Sequence, residues 1–179
     1  MSITVKTISA DEHLAFVNQR GQASFLQLPA WGRAKPEWTS ESVGFFDDGD
    51  LTGVGLILYR QLPKLRRFLA YLPEGPVLDW ERPDVEAHLE ALVVYARRRK
   101  AFAVRIGPTV VHRRWLAPTV KEAIADPKIT ALSQVTPDET THTGTRVLRC
   151  LEHLGWQQQG TGPGFAAGQP QFNYQLRLS

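Results

Sequence analysis

The chain has 179 residues with a formal net charge of +3, and 42% of them are hydrophobic and 22% charged, the profile of one soluble domain large enough to bury its own core. No apolar run approaches the roughly 18 residues of a membrane span, the opening Met1-Ser2-Ile3-Thr4-Val5-Lys6 lacks a signal-peptide core, and a single cysteine, Cys150, excludes an internal disulfide and points to a reducing compartment. The positive charge favours an anionic partner without naming one.

Residues 3–8 alternate as a first strand. Ser9-Ala10-Asp11-Glu12 then opens a helix through a capping box. Leu14, Phe16 and Val17 form its apolar side and Gly21 ends it. Residues 24–35 mix apolar anchors (Phe25, Leu26, Leu28, Trp31) with the cations Arg33 and Lys35. Pro29 suits the first turn of a helix, and a helix from there puts Trp31 and Lys35 four residues apart on one face. Composition alone favours a short core-packed helix with a solvated lysine. The alternative is an aromatic anchor beside a cation, suited to an anionic ligand.

Residues 43–46 and 53–61 read as two strands joined by the hairpin turn Asp47-Asp48-Gly49-Asp50. The second is apolar almost throughout, so it is central and covered on both faces. Residues 62–67 make a basic turn, residues 68–72 a third strand, and residues 73–80 a loop rich in Pro and Gly. Residues 82–100 form the clearest helix, with Pro83 in its first turn and Asp84 and Glu86 near the positive end of its dipole. Val85, Leu89, Leu92, Val93 and Ala96 recur at helical spacing. The run Arg97-Arg98-Arg99-Lys100 complements the negative helix end; a nucleic-acid patch is the alternative.

Residues 101–106 follow as a strand, broken by Gly107-Pro108, and a helix feeding straight into a strand indicates α/β layering. Residues 109–144 are polar and loop-like, with a short helix over 119–125. Residues 145–154 form a helix ended by Gly155, in which Cys150 is a small core filler among Val147, Leu148, Leu151 and Leu154. Residues 156–159 read as a strand, 160–164 as a loop, and 172–178 as a final strand.

This order fits an α/β fold of the GNAT-type N-acetyltransferase kind, a mixed sheet flanked by helices. That fold grips coenzyme A with a glycine-rich loop before a helix N-terminus, where free N–H groups bind pyrophosphate. The segment before the helix at residue 145, Thr140-Thr141-His142-Thr143-Gly144-Thr145, has one glycine and does not satisfy the motif. The five histidines show no metal-ligand spacing. There is no nucleophile elbow around Ser24, no phosphate-binding P-loop and no dinucleotide fingerprint. Asp47-Asp48-Gly49-Asp50 lacks the closing Glu of a calcium loop. No metal and no cofactor are expected.

Two stretches carry a resemblance. Phe25-Leu26-Gln27-Leu28-Pro29-Ala30-Trp31-Gly32-Arg33-Ala34-Lys35 resembles the signature FLQSPAWGRVK, and Tyr71-Leu72-Pro73-Glu74-Gly75-Pro76-Val77-Leu78-Asp79-Trp80 resembles Y-x-P-R-G-P-V-x-D. Leu58-Tyr59-Arg60-Gln61-Leu62-Pro63 fits between them, and Gly168-Gln169-Pro170 with the closing strand resembles a QPR segment. The family so resembled is that of the FemABX (methicillin-resistance factor) aminoacyl-tRNA-dependent peptidyltransferases. The resemblance implies a cytoplasmic enzyme of peptidoglycan biosynthesis, cell wall biogenesis and cell shape. It would take an amino acid from aminoacyl-tRNA and add it to the stem-peptide side-chain amine of UDP-MurNAc-pentapeptide or a lipid-linked muropeptide. The family has two acetyltransferase-like halves. Residues 1–179 correspond to the first as a single domain and carry most of the acceptor cleft, while aminoacyl-tRNA falls mainly to the second half.

Carried over residue by residue, Lys35 matches a lysine on the acceptor diphosphate, where a point cation suits phosphate oxygens. Trp38 falls near a cleft aromatic, Phe102 stands where some members have Tyr, and Gly107 where many have an Asp that reaches the stem peptide. Gln171 replaces the Arg of QPR, and Glu74 the Arg before Gly75-Pro76. The expected substrate-binding set is Lys35, Trp38, Phe102, Arg105 and Gly107, with no catalytic residue assigned. A stand-alone coenzyme A-dependent acetyltransferase and a non-catalytic muropeptide- or RNA-binding module are the alternatives.

Overall fold

The computed structural model describes residues 3–20, 23–62, 67–159 and 173–178. Strand β1 (Ile3–Thr7) leads into helix α1 (Ala10–Asn18). Ser9 and Glu12 close the expected capping box: the Glu12 N–H donates to Ser9 Oγ at 3.1 Å, and the Ser9 N–H to Glu12 Oε2 at 2.8 Å. Phe16 and Val17 face inward as expected, but Leu14 is 37% exposed and His13 is buried in its stead. Docking on the sheet sets the helix phase, and His13 is accepted there because Ser42 Oγ lies 3.1 Å from its Nδ1.

A 3-10 turn (Phe25–Gln27) and helix α2 (Pro29–Arg33) precede the hairpin β2 (Thr39–Asp47) and β3 (Asp50–Gln61). Asp48 and Gly49 both take positive φ at its two-residue turn, the geometry that matches strand twist. β4 (Phe68–Leu72), the short β5 (Val77–Leu78), α3 (Val85–Arg98) and β6 (Ala101–Ile106) follow. α3 starts at Val85, the first residue of its apolar stripe, and not at the expected residue 82. Pro83 lies ahead of it, and the Asp84 carboxylate is turned to Arg82 Nε at 2.8 Å rather than to the helix N–H groups.

β7 (Arg113–Arg114), α4 (Ala117–Ala125) and β8 (Glu139–Thr140) occupy the polar stretch, β7 pairing with β8. α5 (His142–His153) begins three residues before the expected start, because Thr141 Oγ1 caps it by accepting the Gly144 N–H at 3.0 Å. β9 (Gln157–Gln158) and β10 (Tyr174–Arg177) complete the sheet, in the order β1-β2-β3-β4-β6-β10-β9 with β5 beside β3. Among the described residues, only the β4–β6 pairing is parallel. The expected helix stop at Gly21, most of the basic turn (63–66), the loop at 160–164, and residues 168–172 lie outside the described residues.

β3 is buried from Gly53 to Tyr59, and period-2 alternation divides it between two layers. Ile57 and Tyr59 join Val43, Phe45, Leu72, Val104 and Ile106 beneath Leu89, Leu92, Ala96, Val147 and Leu151 of α3 and α5. Leu56 and Leu58 join Tyr71 beneath Trp31 and Trp38 on the other face. Cys150 packs half-buried against the first layer, and burial pushes its thiol up, as suits a filler. No helix among the described residues is long and apolar enough to cross a membrane.

Candidate functional site

The two signature stretches meet at the edge of the second layer. Ser24 caps the 3-10 turn by accepting the Leu26 N–H at 3.1 Å, and its hydroxyl donates to the Glu74 carboxylate. Gln27, fully buried, donates from Nε2 to the Pro73 carbonyl at 2.7 Å and accepts the Leu56 N–H on Oε1 at 2.9 Å. One amide thus ties the first stretch to the second and to the central strand. Gly75 must lack a side chain, because a Cβ there would run into the Gln27 amide. The Gly75 carbonyl in turn accepts the Gly107 N–H at 3.1 Å, which draws the end of β6 into the same corner.

Above this clamp, α2 lays its aromatic ring on the sheet. Trp31 packs against Leu56 and Leu58, meets Phe25 edge to face at 5.4 Å, and carries Lys35 Nζ over its ring at 4.9 Å. The expected pairing of Trp31 with Lys35 is present, although the helix itself closes at Arg33. Trp38 lies against Tyr71 at 6.1 Å with the Arg60 guanidinium over it at 5.6 Å. Arg105 stands directly across from Tyr71, and its Nε and Nη2 donate to Gln175 Oε1 at 3.2 and 2.8 Å. Tyr71 is 6% exposed, and its hydroxyl has no partner among the described residues. Burial pushes this phenol up to about 12, so at neutral pH it is a hydrogen-bond donor and not a base.

Of the expected residues, Lys35, Trp38 and Arg105 share this face, and Gly107 borders it. Phe102 sits apart. It is the extra residue where the β4–β6 register slips, Phe68 facing Ala101 and Leu69 facing Ala103, at the far end of β6 from Gly107. Gln27, Tyr71 and Gln175 complete the arrangement without having been singled out from the sequence. Gln27 is the one with a local signal, an amide inside an otherwise apolar run. Among the described residues, Lys35, Arg60 and Arg105 have no carboxylate within ion-pair distance. The face therefore offers cations and aromatic rings, a surface for an extended anion.

A hollow of about 380 Å³ on the α3 side, lined by Thr39, Glu41, Tyr59, Phe68 and Arg99, offers less. Its Glu41 carboxylate already accepts from Thr7 Oγ1 at 2.7 Å, Tyr95 at 2.8 Å, Tyr59 at 3.1 Å and Arg99. Arg99 is thereby paired, although it stays exposed with the rest of the run at residues 97–100. The N-termini of α3 and α5 are unsuited to a pyrophosphate. Asp84 and Glu86 flank the start of α3. The first turn of α5 is packed so closely that a Cβ on Gly144 would lie 2.5 Å from the backbone of Val111 and His112.

Comparison with known proteins gives one family and one fold. The profile of the FemAB family matches residues 8–179. Lipid II:glycine glycyltransferase of Staphylococcus haemolyticus (strain JCSC1435) is 36% identical over 106 residues, covering 58% of this chain and 25% of that protein. The enzyme of the same name from Staphylococcus epidermidis (strain ATCC 12228 / FDA PCI 1200) is 34% identical over 109 residues, covering 58% and 26%. The chain therefore spans about a quarter of the length of these relatives. Among solved structures, FemX superposes with a TM-score of 0.61 at 25% identity, over 91% of this chain and 34% of that one. AAC(6')-Ib in complex with paromomycin and acetyl-CoA superposes at 0.55 with 10% identity over 99% and 94%, a likeness of fold alone. The mixed sheet flanked by helices is thus the acetyltransferase-like fold that the element order implied.

Proposed function

The chain belongs to the FemAB family, and on that premise we propose that it is the acceptor-binding half of an aminoacyltransferase that builds the interpeptide bridge of peptidoglycan. The acceptor is a muropeptide precursor, UDP-MurNAc-pentapeptide or its lipid-linked form. The relatives' name, lipid II:glycine glycyltransferase, supports the lipid-linked one. The donor is an aminoacyl-tRNA, held mainly by a second half outside these residues, and the reaction is cytoplasmic. Lys35 takes the acceptor diphosphate, while Trp38, Arg105 and Gly107 border the path of the peptide; Phe102, at the far end of β6, does not.

The observation that carries this reading is Lys35 held over Trp31 at 4.9 Å with no carboxylate partner among the described residues. A cation fixed by an indole and left without a counter-ion is prepared for an anionic ligand. In the reaction, the acceptor amine attacks the aminoacyl ester carbonyl, the bond to the tRNA ribose oxygen breaks, and the amine proton passes to that oxygen. A base for the amine and a donor for the oxyanion are required. The Tyr71 phenol is protonated and does not serve as that base, and no catalytic residue is assigned among the described residues.

Calorimetric titration of this chain and of Lys35→Ala with UDP-MurNAc-pentapeptide tests the reading. Binding by the wild type that weakens by about 1.5–3 kcal/mol in the variant, the scale of a hydrogen bond to a charged group, is expected. Binding of acetyl-coenzyme A in place of the muropeptide would overturn it in favour of an acetyltransferase. Tight, steeply salt-dependent binding of tRNA alone would favour an RNA-binding module.

A further inference from the structure

Across the cleft face the register aligns one residue from each of four neighbouring strands: Leu58 of β3, Tyr71 of β4, Arg105 of β6 and Gln175 of β10. Neighbouring strands lie about 4.8 Å apart, so Arg105 stands about 10 Å from the Leu58 strand on which Trp31 rests. Among the described residues, two polar groups of this row are left short of a matched partner. The Tyr71 hydroxyl, sealed from solvent, has no partner among the described residues. An orphan of this kind costs about 1–3 kcal/mol. The Arg105 guanidinium directs Nε and Nη2 at one neutral oxygen, Gln175 Oε1, in the fork geometry that a carboxylate fills better and more strongly.

We propose that Tyr71, Arg105 and Gln175 form a carboxylate subsite, in which Gln175 Oε1 is a neutral placeholder that a carboxylate of the acceptor's peptide displaces. The incoming group takes the two Arg105 donors and supplies the acceptor that the Tyr71 hydroxyl lacks. The subsite lies on the same face as Lys35 and is separated from it by the Trp31 and Trp38 rings, so one extended acceptor reaches both, its diphosphate at Lys35 and its peptide carboxylate at Arg105. The inference rests on the acceptor reading and adds to it a preference for an acidic peptide. A phosphate would satisfy the same donors, and the experiment separates the two sources.

Calorimetry of the 179-residue chain uses three probes: UDP-MurNAc-pentapeptide, the same compound with its peptide carboxylates converted to carboxamides, and UDP alone. The carboxylate form is expected to bind about tenfold more tightly than the carboxamide form, the lower end of the range for a hydrogen bond to a charged group. Arg105→Gln removes that ratio, and so does Gln175→Glu, whose own carboxylate occupies Arg105; neither changes the affinity for UDP. Tyr71→Phe narrows the ratio while holding or raising the melting temperature, because it deletes an unsatisfied hydroxyl, whereas a structural tyrosine would lower it. Equal binding of the two peptide forms by the wild type overturns the subsite and leaves the acceptor reading standing. Weakening of UDP by Arg105→Gln as large as that of the peptide makes Arg105 a phosphate contact and also overturns it. Absence of binding by all three probes overturns the acceptor reading itself and the subsite with it.

Discussion

Around α3 and α5 three cations are held by charge or by backbone: Arg99 by Glu41, Arg82 by Asp47 at 3.2 Å and by Asp84, and Arg146 by the carbonyls of Arg82 and Trp80 at 2.7 and 2.6 Å. On the face under α2 the cations are not. Lys35 and Arg60 lie over indole rings, and Arg105 is held by a neutral amide. The two faces also differ in what anchors them. Charged pairs tie α3 to the hairpin, whereas neutral side chains work on the other face: Gln27 ties the signature stretches to the sheet, and His13 ties α1 to β2. A satisfied ion is structural, while a cation left without a counter-ion beside aromatic rings is available to a ligand. Neutral anchors suit the second face because they hold it without supplying a carboxylate that would compete for those cations.

Removing the neutral anchor is the strongest way to break this contrast. Gln27→Leu fits the volume but leaves the Pro73 carbonyl and the Leu56 N–H without partners in a buried setting. Each orphaned group costs about 1–3 kcal/mol. Urea denaturation is expected to show the sum, with the clamp between the two signature stretches lost. A loss below about 1 kcal/mol would mean that water or a neighbour replaces the amide.

His13 sharpens the same comparison through pH. Burial lowers its pKa from 6.5 to about 4, with the Gln27 backbone opposing in part. The imidazole is neutral when folded, so the unfolded chain binds the extra proton between these values. Stability is then complete above about pH 6.5 and falls as pH drops toward about 4, by up to about 3 kcal/mol. His13→Asn, which keeps a donor near Ser42, is expected to flatten that part of the stability–pH curve. Parallel curves for the two proteins would show that His13 is not the titrating anchor.

What the sequence made legible follows the reach of each interaction. The Ser9–Glu12 capping box, the Asp48-Gly49 turn, the apolar stripe of α3 and the Trp31–Lys35 pair are set by neighbours within about four residues, and the structure reproduces them. Gln27 carried a local signal, but its partners were opaque because they lie 46 and 29 residues away. The Tyr71–Arg105–Gln175 row was equally hidden, since a parallel register and the slip at Phe102 fix which residues face one another. Leu14 and His13 exchanged places because helix docking, and not the hydropathy of α1, chooses the buried side. Of the candidate face, the family resemblance put forward Lys35, Trp38, Arg105 and Gly107 one by one, and misplaced Phe102, while the assembly of a cationic, aromatic face from four strands needed the fold.

The smallest effect compares one cation from each face. Arg99 is 46% exposed, and in Arg99→Ala the Tyr59 and Tyr95 hydroxyls still reach Glu41. Its loss is therefore expected to cost about 1 kcal/mol or less, as for other solvent-screened pairs, and to shrink in high salt. Lys35→Ala removes no carboxylate contact among the described residues, so thermal unfolding of the free chain is expected to shift within the ±0.5 kcal/mol typical of surface changes, with no salt dependence. The order reverses once an anionic acceptor is present: Lys35→Ala loses the stabilisation that ligand binding confers on the folded state, and Arg99→Ala keeps it. Equal destabilisation of the free chain by both substitutions would make Lys35 as structural as Arg99, and the distinction between the two faces would fail at the cation on which the acceptor reading rests.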